Sequence, residues 1–544
     1  MMQTAAIFDW LRHFSPLRLA GPLSDKELRV ASRRARSYML RSGYVLLLCV
    51  LVLSSWYSMV GIQRVKTTAF GVSRAAEMAT YLTSTIIWFQ FATAQFIAAM
   101  VLSVSMSDEL RRGTLSTLMT TPIRSVHIVA GKLLGGLLQV VLLLAIGLPV
   151  LAILRVQGGV QWSSVAAGFC VTVTAALFAA ALSLFLSMHY RHPYQAMSAA
   201  AVVYFVAFLI LPAALTMLTS VGVLSQSLSQ LLIDLTNPFR ALHGAVPLRG
   251  VVTVGGFPWP IHCIALSGVT LLLLGLCVWR VRPAAAGRLP ARIEAKSRPI
   301  ARLYGSPLVW KDTAGRLLPW RRADMAIAVV ALVTCGLIIA IHSPRTGSYG
   351  FYLHYFTWGL WLLSLVRLAI SVAGGITREK EGGTWPLLLT SPLDSNQIIR
   401  AKAVAALRQN AILLLSAFAV QCSLLFSTVG RVNVFYMAFS VVSMVATIFF
   451  IVSAGLYFGV RLRTTTVAAA ATLGTHLCLN FVVSRLLITF LFRLLWHPIA
   501  RTGGSSIRMA LLSFAPSSGM LILNLLLARF LLRRARRNVR QYVF

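Results

Sequence analysis

Apolar stretches long enough to cross a bilayer recur along the whole chain, separated by short polar breaks rich in arginine. They predict spanning helices at residues 43–61, 81–106, 133–154, 163–187, 196–219 and 261–280. A second set is predicted at 324–341, 354–376, 402–427, 434–460, 466–490 and 508–529. A hydrocarbon core about 30 Å thick takes about 20 helical residues, so the longer segments must tilt, break or run into the interface. The expected fold class is an all-α polytopic membrane protein of about twelve transmembrane helices in two parallel six-helix repeats.

The polar breaks are not all alike. One of them occurs twice, 270 residues apart, each time after the second apolar stretch of a half. The first copy carries Glu109, Gly113, Thr114, Leu118, Thr120, Pro122, Ser125, Ile128 and Lys132. The second carries Glu379, Gly383, Thr384, Leu388, Thr390, Pro392, Ser395, Ile398 and Lys402, so nine positions keep both identity and offset.

Each residue type in this insert has a physical role to play. The acid ends burial and brings the chain to the cytosol. Glycine permits a tight change of direction, threonine is expected to cap the short helix that follows, and proline stops that helix. The apolar face comes from Leu115, Leu118 and Met119 in one copy and from Trp385, Leu388 and Leu389 in the other. Lys132 and Lys402 are expected at the mouth of the next span, with their ammonium groups in water or among headgroups. The product is a short amphipathic helix beneath the membrane, whose acidic and glycine positions face a cytosolic interface. Charge removal there is expected to leave folding intact. A plain interfacial loop that only fixes topology is the competing reading.

Charge then sets the sidedness. The net charge of +37 would point to nucleic acid in a soluble protein. Here 36 of the 50 basic residues fall in the breaks on one side, which places both termini and both repeated inserts in the cytoplasm. The C-terminal arginines 529, 533, 534, 536, 537 and 540 read as a topological stop and an anionic-lipid anchor. Nucleic acid is not expected as a partner, because no stacking platform accompanies them.

The organisation expected is a cytoplasmic interfacial segment at 1–42, a first six-helix half at 43–280, and a cytoplasmic linker at 281–323. A second half at 324–529 and a basic tail at 530–544 complete it. The linker repeats an early landmark: Pro22-Leu23 before Lys26-Glu27 is echoed by Pro307-Leu308 before Lys311-Asp312. That offset is 285 rather than 270, and the extra residues are assigned to an outer loop at 62–80. Short re-entrant or interfacial helices are expected in the outer segment 220–260.

Metal and redox chemistry find little support. Cys49, Cys170, Cys263, Cys277, Cys335, Cys422 and Cys478 lie in or beside apolar spans without a paired spacing. His189 and His192 lack the spacing and the acid of a zinc-protease helix. The one Gly-Lys candidate for a phosphate loop, Gly131-Lys132-Leu133, lacks the hydroxyl after lysine and the upstream glycine, so no ATP site is expected in this chain.

The pattern E-x3-G-T-[LW]-x2-L-[ML]-T-[TS]-P-x5-I-x3-K, placed after the second span of a six-span unit, resembles the cytoplasmic coupling segment of ABC-2 type transporter permeases. The resemblance implies that Glu109, Gly113, Thr114, Pro122 and Lys132, with Glu379, Gly383, Thr384, Pro392 and Lys402, couple the membrane subunit to a separate ATP-binding subunit. That implies two such subunits per chain, ATP and Mg²⁺ on the partner, and export across a bacterial inner membrane. Ser116 and Pro386 stand where the family carries an acid, so the two copies are chemically unequal.

Polar groups inside the spans mark a substrate path or helix clamps: Arg367, Gln90, Gln95 and Asn480. An ion- or proton-coupled secondary transporter is the alternative function, and a non-transporting membrane scaffold is a third. Asp and Glu are nearly absent from the predicted spans, which weighs against the ion-coupled class.

Overall fold

The computed structural model describes residues 35–61, 68–121, 123–156, 161–190, 192–246, 259–286, 306–313, 322–341, 349–428, 434–483 and 505–541. In chain order the helices begin with α1 (Ala35–Gly61), α2 (Thr68–Arg112), α3 (Thr114–Met119), α4 (Ser125–Val156) and α5 (Trp162–Ser187). Then follow α6 (Pro193–Phe205), a π turn (Val206–Ile210), α7 (Leu211–Ser220), α8 (Gln226–Thr236), α9 (Pro238–Ala245) and α10 (Trp259–Ala285). The later helices are α11 (Pro307–Thr313), α12 (Arg322–Ile341), α13 (Tyr349–Glu381), α14 (Trp385–Leu389), α15 (Ser395–Thr428) and α16 (Val434–Arg461). Last come α17 (Thr465–Cys478), a second π turn (Leu479–Val483) and α18 (Ser505–Asn538).

The protein is all-α and multi-pass. Among the described residues, eight helices are long and apolar enough to cross a membrane. They are Ala79–Arg112, Ser125–Arg155, Trp162–Ser187, Pro193–Thr219, Trp259–Ala285, Phe356–Glu381, Ser395–Ser423 and Ala438–Arg461, with shorter apolar helices at Arg41–Leu53 and Asp324–Leu337. As helices these segments satisfy their backbone N–H groups internally, as crossing the hydrocarbon requires outside a closed barrel. The last part of the predicted span 466–490 and residues 1–34 of the predicted interfacial segment lie outside the described residues.

One boundary differs from expectation. Residues 68–80, assigned from sequence to an outer loop, are helical and extend α2. Ala69, Ala75, Ala76, Arg74 and Glu77 are strong helix formers, and their propensity carries the helix past the apolar stretch. The outer segment, in contrast, does contain short helices, α8 and α9. Asn237 caps α9 by accepting from the N–H groups of Phe239 at 3.0 Å and Arg240 at 3.4 Å.

Contacts divide the chain into two compact units. The first comprises Met1–Met59, Gln63–Ala200 and Asp234–Lys296; the second comprises Val60–Ile62, Ala201–Ile233 and Ser297–Phe544. In the first, α5 is the central helix, packed by α2, α10 and α9. Its buried face is built largely from Ala167, Ala175, Ala176, Ala179, Ala180 and Ala181, small side chains that let neighbouring backbones approach closely where lipid offers no hydrophobic drive.

In the second unit, α13 plays that part, packed by α15, α16 and α17. Gly455 and Gly459 of α16 face Val372 and Ala373 of α13 so closely that an added Cβ would meet them at 2.9–3.1 Å. Its core joins Phe205 and Met217 to Ile327, Ala331, Phe356, Leu360, Leu363 and Leu413. The stretch 201–220 therefore packs with α12, α13 and α15.

Candidate functional site

Each repeated insert folds as a helix end, a left-handed glycine, a short helix and a bend. Gly113 and Gly383 have φ of 72° and 71°, a conformation that costs an L side chain but not glycine. At the second copy the N–H of Thr384 bonds to the carbonyl of Glu379 at 2.9 Å and that of Gly383 to Lys380 at 3.2 Å. This pair of bonds is a Schellman closure of α13, with Gly383 at its left-handed position.

The short helices α3 and α14 bury corresponding faces. Leu115 and Trp385 are fully buried, Leu118 and Met119 match Leu388 and Leu389 as half-buried, and Thr114 and Thr384 are exposed. Where the copies differ, the surface differs: Thr117 is exposed in the first, whereas Leu387 is 71% exposed in the second.

Thr114 and Thr384 do not cap the helices that follow them, as the sequence suggests they should. Their hydroxyls turn back to the carbonyls of Glu109 at 3.5 Å and Glu379 at 3.3 Å, because the left-handed glycine points the next residue toward the helix just ended. Thr384 also donates to the Glu379 carboxylate. Pro392 lies exposed in the bend after α14. Pro122 is outside the described residues.

The lysines are the larger departure. Expected in water or among headgroups, both are buried and each lies on the glutamate of its own copy. Lys132 Nζ is 2.6 Å from Glu109 Oε1, and Lys402 Nζ is 3.2 Å from Glu379 Oε1. An ammonium and a carboxylate brought to the same depth are held by each other rather than by solvent. The glutamates accordingly point into the fold, not outward at a cytosolic partner.

At the second copy the pair grows into a cluster. Lys311 of α11 donates to Glu379 Oε1 at 2.9 Å, and Lys402 also reaches Asp312 Oδ2 at 2.9 Å. The echo of Pro22-Leu23 and Lys26-Glu27 in the linker is thus a helix whose charges complete the site, a role the sequence did not reveal. The remaining polar residues at the end of α13 are also turned inward. Lys380 donates to the Val460 carbonyl, and Glu381 Oε1 accepts from the N–H of Thr465 at 2.8 Å.

Two hydroxyls missed in the sequence sit at equivalent places. Ser107 donates to the carbonyls of Ser187 at 3.0 Å and Tyr190 at 2.9 Å. Thr377, 270 positions later, lies 2.7 Å from the hydroxyl of Thr465. In both copies the helix before the hairpin is pinned to a junction between two later helices, the end of α5 with the turn after it in the first and the start of α17 in the second.

The intramembrane polar residues fall into different units. Gln90 and Gln95 are buried in the first. Gln95 donates to the Phe91 carbonyl at 3.2 Å, and Gln90 fills the space a side chain at Gly147 would need, 1.6 Å from that missing Cβ. In the second unit Arg367 Nη2 lies 2.5 Å from Asp324 Oδ1, joining α13 to the start of α12. Asn480 donates to the His476 carbonyl at 2.9 Å, where α17 passes into its π turn. Among the described residues no group of three His, Cys, Asp or Glu side chains is placed to hold a metal ion.

The model of the protein family described as "ABC-2 family transporter protein" matches residues 22–282 and 322–528, and each matched segment contains one of the two hairpins. No curated protein matches the chain.

Proposed function

The chain belongs to the ABC-2 transporter family, and from that premise we propose that it is the permease subunit of an exporter driven by ATP hydrolysis on separate nucleotide-binding subunits. The observation that carries this reading is the pair of cytoplasmic hairpins with matching left-handed glycines, buried faces and Glu–Lys pairs. One chain supplies both halves, as twelve spans in two parallel sets of six, and one ATP-binding subunit docks at each hairpin. ATP and Mg²⁺ belong to those partners. Both termini face the cytoplasm, in a bacterial inner membrane.

In this mechanism the partner contacts the exposed surface of α3 or α14, while the Glu–Lys pair transmits the push. Glu109 ends one membrane helix and Lys132 lies in the next, so the short helix between them moves with both. Glu379 and Lys402 repeat the arrangement, and α11 is drawn in through Lys311 and Asp312. A rigid link of this kind passes displacement of the hairpin to two spans together, which a solvated loop does not do. Arg367 and Asp324 are read as a clamp between spans, while Gln90, Gln95 and Asn480 remain candidate positions on the substrate path.

The deciding experiment is purification of the chain from native membranes in mild detergent. The expected result is co-purification with two copies of a subunit bearing a Gly-rich phosphate loop, and transport in liposomes that requires ATP. Transport by the chain alone, driven by an ion gradient, would establish the secondary-transporter reading instead.

A further inference from the structure

The C-terminal arginines do more than end the last span. Ala528, Ala535 and Val539 are fully buried, so one stripe of α18 packs inward to its final turn. There Arg540 donates to the carbonyl of Leu393, in the bend that follows α14, at 3.4 Å. The opposite face presents Arg533, Arg537 and Arg540 at i, i+4 and i+7, all exposed, with Arg534 exposed beside them over the Phe530 ring at 5.3 Å. No aspartate or glutamate follows Asp394 anywhere in the chain. This face carries a concentrated positive charge, and the acid adjoining its Leu393 contact is the exposed Asp394.

Its height argues against a purely lipid role. The sequence predicts a last span that ends at residue 529, and Arg537 stands about 12 Å farther along the helix axis than Arg529. The headgroup layer adds only about 5–7 Å on each side of the hydrocarbon. On such a span the distal arginines project past the headgroups, and Arg540 reaches the hairpin bend at Leu393, six residues after the exposed Leu387.

We propose that the outer face of α18 is a second docking arm for the ATP-binding subunit at the second hairpin, taking an acidic surface of that partner. This inference rests on the coupling function proposed above. Leu387 supplies an apolar anchor and the arginine face supplies steering and register, a division of labour common to protein interfaces.

The test is site-specific photocrosslinking in native membranes, with benzoylphenylalanine placed singly at Leu387 and at Arg537 and the adducts identified by mass spectrometry. Both sites are expected to capture the same polypeptide bearing a Gly-rich phosphate loop. A triple Arg533→Gln, Arg534→Gln, Arg537→Gln variant should lower the Leu387 adduct about tenfold at low salt, as loss of steering charge does, and the corresponding triple Lys variant should restore it. Capture of that polypeptide at Leu387 with only phospholipid, or nothing, at Arg537 would overturn the docking arm and leave the coupling function standing. An unchanged Leu387 adduct in the triple Gln variant would do the same. Capture of an ATP-binding polypeptide at neither site would bring down both.

Discussion

Lys402 Nζ lies 3.2 Å from Glu379 Oε1, closing a link between two membrane helices across the 23 residues that contain the second hairpin. The corresponding pair in the first half, Lys132 and Glu109, is closer still at 2.6 Å. What looks in the sequence like a charged surface motif is an internal brace, and this changes what its substitution should do.

Lys402 is 1% exposed and faces two carboxylates, Glu379 and Asp312. Lys402→Met removes the shared cation and leaves those acids without it. Glu379 keeps Lys311 at 2.9 Å, so the loss should fall below the about 3–5 kcal/mol of a buried pair broken outright, and the variant should show a fall in unfolding midpoint in detergent. An unchanged midpoint would place Lys402 outside the load path. This outcome is the opposite of the sequence-based expectation that charge removal leaves folding intact.

Gly383 tests backbone against contact. Its φ is 71° and an added Cβ would meet nothing within 4 Å in the free chain, so Gly383→Ala pays only the left-handed strain, about 1–2 kcal/mol. Gly383→Asn should cost less, because asparagine visits that conformation more readily. If the ATP-binding subunit packs against the glycine, Ala and Asn variants will differ in thermal stability yet lose partner affinity to a similar degree. Equal stability of the two variants would exclude strain as the reason for glycine here.

Arg367 and Asp324 form an internal pair at 2.5 Å, with both side chains largely withdrawn from solvent. Arg367→Leu should destabilise the second unit by about 3 kcal/mol, and adding Asp324→Leu should recover most of that loss, since an apolar pair tolerates burial that a single charge does not. A double-mutant cycle on unfolding midpoints measures this coupling. Additive losses, combined with a substrate-dependent change in transport at Arg367 alone, would assign the arginine to the substrate path.

The two hairpins should be unequal in partner binding. Leu387 is 71% exposed where the first copy has Thr117. Leu387→Ala is expected to weaken binding of the ATP-binding subunit about tenfold, equivalent to about 1.4 kcal/mol, while Thr117→Ala has little effect. Titration of detergent-solubilised variants with the purified partner gives the comparison. Equal losses at both positions would remove the asymmetry.

Much of this protein is legible in its sequence. Long apolar runs identify spanning helices because hydrophobicity and backbone satisfaction are properties of a local stretch. Two glycines at matching offsets identify the two turns, since few other residues take a left-handed φ without strain.

The tertiary structure alone decided which groups meet. Glu379 is 68 residues from Lys311, and Arg367 is 43 from Asp324. Nothing local distinguishes an acid aimed at a partner from one aimed at a lysine of the same chain. The packing of residues 201–220 with α12, α13 and α15 was equally hidden, as were the π turns at Val206–Ile210 and Leu479–Val483. An apolar helix records in its sequence that it is buried in membrane or protein, but the neighbour is selected by shape and by the few polar groups that must be satisfied at the same depth. Those matches exist only once the helices have assembled.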